Sequence, residues 1–328
     1  MSLRVALLTA LLLAMVSPAY PAEPAGEHRF TLGEIYPGFT FTPDHENVAI
    51  STPGAPGSGK LLVFLTGIGT GPAAYGRLLH AAVNDGGYHA LGLDWVSGLE
   101  TNARGTNIFY QCDHDACFAD VWHEAFDGSD QAPKVRIGVT DSVLNRLVKA
   151  LSYLARTWPD EGWGAFLADG QPVWTRIAVA GLSNGAGEAA YIASRFAVAR
   201  VALFAGPMDS TGEPPDLTPA SWLSGPHATP ASRWYAFAST HDASKILDRS
   251  ARYLLDWPAL GLGQPVNVDG LGPPFDNAHA LTTGVAPCDG CSASNMIATD
   301  QTPLGAAGDA VFRPVWDYML GAPAAASR

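Results

Sequence analysis

Five consecutive apolar residues at 61–65, Leu-Leu-Val-Phe-Leu, set the tone of this chain. An unbroken run of that length, without polar alternation, suits a strand covered on both faces of a parallel sheet. Similar short runs recur at 89–93, 176–180, 201–204 and 234–238, with a weaker one at 266–268. Segments with helical spacing lie between them. Over 141–156, Val143, Leu144, Leu147, Val148, Leu151, Leu154 and Ala155 fall on one side, behind Thr140 as the predicted N-cap. Over 186–200 the apolar positions are Ala189, Ala190, Ile192, Ala193 and Phe196, with no proline. Residues 72–83 and 311–320 are further predicted helices, and 28–50 supplies opening strands before a Pro/Gly/Ser turn at 51–59. Strands alternating with helices predict an α/β architecture: a doubly wound, mostly parallel sheet with helices on both faces. In such a sheet the chemistry belongs to loops at the carboxyl ends of the strands. The pattern lapses over 96–137 and 208–230, which read as inserted cap segments, and 321–328 reads as a frayed small-residue tail.

The amino-terminal residues change the expected compartment. Arg4 precedes an almost wholly apolar run at 5–16, and Ser-Pro-Ala-Tyr-Pro-Ala at 17–22 offers cleavage after Ala19 or Ala22. That pattern predicts a secretory signal over 1–22, too short in its apolar core for a comfortable membrane span. The expected product is secreted or periplasmic, with one domain over 23–320 and no stable membrane insertion. Acidic residues outnumber basic ones by 31 to 19, which argues against nucleic acid and anionic surfaces as partners. The cysteines form two close pairs, Cys112 with Cys117 and Cys288 with Cys291. In an exported chain two disulfides are the first reading. Local pairing is the simplest connectivity, cross-pairing of the two loops stays open, and a tetrahedral zinc site is the minor alternative.

Candidate chemistry centres on Gly181-Leu182-Ser183-Asn184-Gly185, between the apolar run 176–180 and the helix that follows. A serine between two glycines at a strand-to-helix turn has the context of a nucleophile elbow. The turn is so sharp that flanking side chains would clash, and it delivers the hydroxyl to a helix N-terminus, where developing negative charge is favoured. A serine needs a base, itself oriented by a carboxylate. In the chain order Ser, acid, His, the expected acid is Asp242 and the expected base His279, with Asp209 as the competing acid. His241 and His227 are read as structural or surface groups. The expected oxyanion donors are the backbone amides of Asn184 and of Ile68, the latter in the Gly-rich exit 66–72. Between Cys112 and Asp127 stand His114, Asp115, Asp120, His123 and Glu124, dense enough for a metal but without ligand spacing. A solvated, disulfide-stapled cap loop is the simpler reading, and no metal is expected. Trp95, Tyr110, Trp122, Trp163 and Trp174 suit either an acyl pocket or the core.

Taken together, Ser183 in its elbow, the strand and loop at 61–72, Asp242 and His279 resemble the α/β-hydrolase superfamily over roughly 60–320. The chain is similar in particular to secreted bacterial α/β hydrolases. The features that carry this are a Gly-rich strand exit followed by Tyr75, the run Gly-Tyr-His-Ala-Leu-Gly-Leu-Asp at 87–94, and Ala-Ala-Tyr-Ile-Ala after the elbow at 189–193. The resemblance implies hydrolysis of a small-molecule or lipid-like ester, with no cofactor. Two departures stand out. Ala186 takes the place of a second glycine after Gly185. Relatives also often carry a histidine-bearing segment shortly before the closing helix, and the equivalent stretch 292–296 has none.

Overall fold

The computed structural model describes residues 26–41, 45–51, 59–98, 112, 114–132, 135–212, 215–242 and 249–322. The predicted signal at 1–22, Tyr110 within 99–111, and the tail beyond 322 lie outside the described residues. In chain order the elements are β1 Glu27–Thr31, α1 Leu32–Ile35, β2 Glu46–Ile50, β3 Leu61–Leu65, α2 Gly76–Asn84, β4 His89–Leu93, α3 Asp115–Asp127 and α4 Val143–Thr157. There follow β5 Leu167–Ala168, β6 Gln171–Pro172, β7 Ile177–Leu182, α5 Asn184–Arg195, β8 Arg200–Phe204, β9 Ser210–Thr211 and β10 Thr218–Pro219. The chain closes with β11 Trp234–Ser239, α6 Arg249–Ala259, β12 Val266–Asn267, β13 Ala280–Thr283, α7 Ala293–Met296 and α8 Arg313–Leu320.

Among the described residues the main sheet has nine strands in the order β1-β2-β4-β3-β7-β8-β11-β13-β12. The pairs from β4 to β12 are parallel, and β1 and β2 join antiparallel at one edge. The apolar runs at 61–65 and 177–182 are buried at every position because β3 and β7 are central, with helices on both faces. The chain steps from β3 to β4 toward one edge and from β7 to β8 toward the other. Right-handed crossovers therefore put α2 and α5 on opposite faces. α2 packs against α8, and α3 packs against α4 and α5. The reversal of direction between β3 and β7 opens a crevice at their carboxyl ends.

Three features depart from the sequence pattern. The first cap segment contains a regular helix, α3, which buries Phe118, Val121, Trp122 and Phe126. Its polar residues Asp120, His123 and Asp127 obscured that face in the sequence. The N-cap of α4 is Ser142, whose side chain accepts from the Asn145 amide, two residues later than Thr140. The third feature is β13, whose four residues Ala-Leu-Thr-Thr are too short to stand out. Its presence moves His279, as described next.

Candidate active site

Ser183 follows the last residue of β7 and precedes the first of α5, with φ 55° and ψ −116°. For a non-glycine residue this is a strained backbone, and it persists only where the surroundings impose it. The surroundings do so. A Cβ on Gly181 would lie 2.2 Å from the Gly185 carbonyl oxygen, and one on Gly185 would lie 2.1 Å from the Leu65 carbonyl oxygen. Gly206, on the loop after β8, passes so close that its Cβ would be 2.8 Å from the Ser183 carbonyl oxygen. That carbonyl accepts from the Ala186 and Gly187 amides at 2.9 and 3.1 Å, so the turn is already the first turn of α5.

Of the predicted oxyanion donors, Asn184 directly follows this serine, and Ile68 lies in the loop after β3, the strand beside β7. Asn184 opens α5, so its amide has no acceptor within the helix. Its side chain is fully buried and donates from Nδ2 to the Ser97 carbonyl at 2.9 Å, fixing the loop after β4 beside the elbow. In the loop after β3, the Gly67 amide donates to the Tyr75 hydroxyl at 2.9 Å, and that hydroxyl also meets Thr70 Oγ1 at 2.7 Å. Gly67 is thereby committed. Ile68, next along, is 41 % exposed. Burial pushes the Tyr75 phenol up to about 12, which keeps it a neutral hydrogen-bonding strut.

The two candidate acids both stand at the carboxyl edge. Asp242 follows β11, is buried, and accepts from the Tyr253 hydroxyl at 2.5 Å. Asp209, on the loop after β8, is fully buried and takes two indole donors on Oδ2: Trp122 at 2.6 Å and Trp222 at 3.0 Å. Burial pushes its carboxyl up to about 7, against the pull of those two hydrogen bonds. Asp256 lies beside it, accepting from Ser210 Oγ, and burial raises that carboxyl as well. Asp209 is therefore a tie between cap segments: Trp122 belongs to α3 and Trp222 to the 208–230 stretch. Asp115 makes a second tie, accepting the Ser221 amide at 2.6 Å and the Ser221 hydroxyl.

The predicted base is in the wrong place. Through the registers, His279 lies opposite Tyr235 on β11, hence level with Ala202 on β8 and Ala180 on β7. It stands at the amino end of β13, whereas Ser183 lies past the carboxyl end of β7. With about 3.3 Å per residue and about 4.8 Å per strand, His279 is roughly 10 Å behind and roughly 14 Å beside Ser183. Its Nδ1 donates to the Trp234 carbonyl at 2.7 Å and its ring stacks on Tyr235 with centroids 4.4 Å apart. The expectation placed His279 after a strand. The two-residue β12 instead leads back to the amino edge, and β13 begins only at Ala280.

All nine histidines of the chain fall among the described residues, so the others can be placed too. His28 meets Glu161, His80 meets Glu27, and His123 meets Asp127. His89 and His227 bond the Glu161 and Leu223 carbonyls. His45 lies with Nδ1 3.5 Å from Asp94, beyond β4. His114 is the N-cap of α3. His241 adjoins Asp242, but its Nε2 donates to the Gly284 carbonyl at 2.9 Å, toward β13 and away from β7.

The acid-rich cap segment has structural work. Glu124 accepts the amides of Gln131, Ala132 and Ile137 at 2.9 to 3.2 Å and so pins the chain leaving α3. Among the described residues no cluster of three or more His, Cys, Asp and Glu side chains forms a metal-binding group. Cys112 pairs with Cys117 and Cys288 with Cys291, the local connectivity. Trp95 and Trp163 are core residues, the first donating from Nε1 to the Thr66 carbonyl at 3.0 Å.

The strand order, the switch between β3 and β7 and the strained serine at the head of α5 define an α/β-hydrolase fold. No protein-family model matches the chain, and no curated protein does. Among solved structures it is similar to the apo form of esterase 2 from Thermogutta terrifontis, at 14 % identity over 81 % of this chain and 87 % of that one, with a TM-score of 0.36. The butyrate-bound form of that esterase matches at 13 % identity, over 79 % and 83 % of the two chains, with a TM-score of 0.36. XC6422 from Xanthomonas campestris, described as a member of the α/β serine hydrolases without lid, matches at 14 % identity over 80 % and 85 %, with a TM-score of 0.32.

Proposed function

We propose that this chain is an exported serine hydrolase-fold protein that takes an acyl group from a carboxylic ester onto Ser183. The observation that carries the reading is the backbone of Ser183, held at φ 55° by glycines that admit no Cβ. Strain of this kind costs on the order of 1–3 kcal/mol and collects at functional sites. Ser183 Oγ forms the bond to the acyl carbon, the ester C–O bond breaks, and the Oγ proton leaves with the alcohol. The Asn184 and Ile68 amides hold the oxyanion, and Asp242 is the acid of the site. Water then displaces the acyl group as the free acid. Export is supported by the predicted signal at 1–22 and by the two disulfides. No helix among the described residues is long and apolar enough to cross a membrane.

A second reading, a binding protein that keeps the fold without the chemistry, is favoured by one observation: His279 faces the Trp234 carbonyl at the far edge. Release of p-nitrophenol from the acetate and butyrate esters separates the two. The proposed function predicts a burst stoichiometric with protein that disappears in Ser183→Ala. Equal release by wild type and Ser183→Ala would leave the binding reading.

A further inference from the structure

The predicted oxyanion donor Ile68 sits in a short loop that is held at both ends. At its start, the Gly67 amide donates to the Tyr75 hydroxyl, and Thr70 Oγ1 donates to the Gly67 carbonyl at 2.9 Å. At its end stands Gly71, whose carbonyl accepts the Ala74 amide at 3.0 Å and so opens the turn Pro72–Tyr75. Between these ends the chain is open: Gly69 has φ 71°, and a Cβ there would meet nothing within 4 Å. The direction of the Ile68 amide therefore depends on where Gly67 and Gly71 are held.

Gly71 rests on a histidine. A Cβ on Gly71 would lie 2.9 Å from His45 Cγ, 3.0 Å from Cδ2 and 3.2 Å from Cβ, so the imidazole fills the place of a side chain. His45 Nδ1 in turn lies 3.5 Å from Asp94 Oδ1. Asp94 directly follows β4 and is buried; its amide donates to Asn47 Oδ1 at 2.9 Å and its carbonyl accepts from Arg146 at 3.3 Å. These bonds make it a fixed brace. β2 runs antiparallel to β4, so His45, one residue before β2, also stands at the carboxyl edge. The parallel pairing of Leu65 with both Leu93 and Gly181 sets Asp94 level with Leu182. Two strand spacings of about 4.8 Å then put Asp94 roughly 10 Å to the side of the elbow, across the loop after β3. That placement suits a prop for the loop, not a base for Ser183.

We infer that His45, braced by Asp94, is a positioning residue that holds Gly71 and thereby aims the Ile68 amide at the oxyanion. The inference rests on the reading of Ser183 and Ile68 given above. One oxyanion donor is worth a factor of roughly 10²–10³ in rate, and a misplacement of about 1 Å costs up to roughly a hundredfold. Without the imidazole, Gly71 loses its support and the Ile68 N–H turns off its target. The oxyanion forms only on the way to the acyl-serine, so the loss falls on the acylation rate and leaves ester binding alone. The contacts use only the near half of the ring: Cβ, Cγ and Cδ2 toward Gly71, Nδ1 toward Asp94. Asparagine supplies equivalents of all four atoms in Cβ, Cγ, Oδ1 and Nδ2. It has no titrating nitrogen, so His45→Asn separates support of the loop from proton transfer.

The test measures the rate of the Ser183-dependent p-nitrophenol burst against p-nitrophenyl acetate concentration. The proteins are wild type, His45→Ala, His45→Asn, Ile68→Pro and the double variant His45→Ala with Ile68→Pro, each shown to be folded by circular dichroism. Proline at 68 has no N–H to donate. His45→Ala should lower the saturating burst rate tenfold or more, with the half-saturating ester concentration within threefold of wild type. His45→Asn should stay within threefold of wild type in both. Ile68→Pro should lose roughly a hundredfold, and adding His45→Ala to it should change the rate less than twofold, because the amide being aimed is gone. A folded His45→Ala with a wild-type burst would overturn the inference. So would His45→Asn as slow as His45→Ala, or losses that multiply in full in the double variant. If proline prevents folding, the alanine and asparagine variants decide by themselves. A wild type with no burst at all would instead strike the Ser183 reading and take this inference with it.

Discussion

Asp209→Asn removes a charge, and almost nothing else, from the junction of the two cap segments. The carboxyl is raised from 3.8 to about 7 by burial, while Trp122 and Trp222 donate to its Oδ2. The folded pKa lies above the unfolded one, so the folded state holds this proton more tightly. Its stabilisation is complete below pH 3.8, declines as pH rises, and is gone above about pH 7. At 1.36 kcal/mol per unit, the whole interval is worth roughly 4 kcal/mol, and the part between pH 5 and pH 8 roughly 3 kcal/mol. With about 2.1 cal/mol/K of unfolding entropy per residue, 1 kcal/mol moves the Tm of a chain this size by roughly 2 °C. Wild type should therefore lose roughly 5 °C more between pH 5 and pH 8 than Asp209→Asn, whose amide oxygen still accepts an indole N–H. Asp256 and Glu188, both buried and raised, act in the same direction and remain in both proteins, as does Arg252, bonded to the Ser210 carbonyl. The difference between the two curves reads Asp209 together with the push its charge gives the neighbouring Asp256 carboxyl. Differential scanning calorimetry across the pH range reads it, and parallel Tm curves for the two proteins would refute the reasoning.

Other consequences follow from the same geometry. Gly185→Ala drives a Cβ to 2.1 Å from the Leu65 carbonyl oxygen, where only backbone can yield. It should cost about 3 kcal/mol or more and abolish the Ser183 burst. Gly138→Ala, with nothing within 4 Å of the new Cβ, should change Tm by no more than about 2 °C, read by the same thermal scan. His279→Gln should leave the Ser183-dependent burst within twofold of wild type. A hundredfold loss in a variant that remains folded would return His279 to the site.

The framework was legible in the sequence for a physical reason. Central parallel strands such as 61–65 and 177–182 are buried on both faces, so their apolar runs are unbroken. The elbow was legible because two glycines bracket one serine, and sterics leave few alternatives at that turn. α3 was hidden because a cap helix needs only one covered side, and its polar side carries the acidic residues that resembled a loop. His279 was misplaced for a different reason. The edge strands are short, β12 of two residues and β13 of four, and one missed strand moves a residue to the opposite end of a parallel sheet. The pairing of Trp122 and Trp222 on Asp209 joins residues far apart in sequence, which no local pattern encodes.

The central claim, that Ser183 is the reactive nucleophile, is tested most directly by incubating the folded protein with a fluorophosphonate and mapping the adduct by peptide mass spectrometry over hours. The account predicts a single adduct on the peptide carrying Ser183, accumulating with time, and none in Ser183→Ala. Failure of Ser183 to become labelled in folded wild type, or equal labelling of Ser183→Ala, would contradict it.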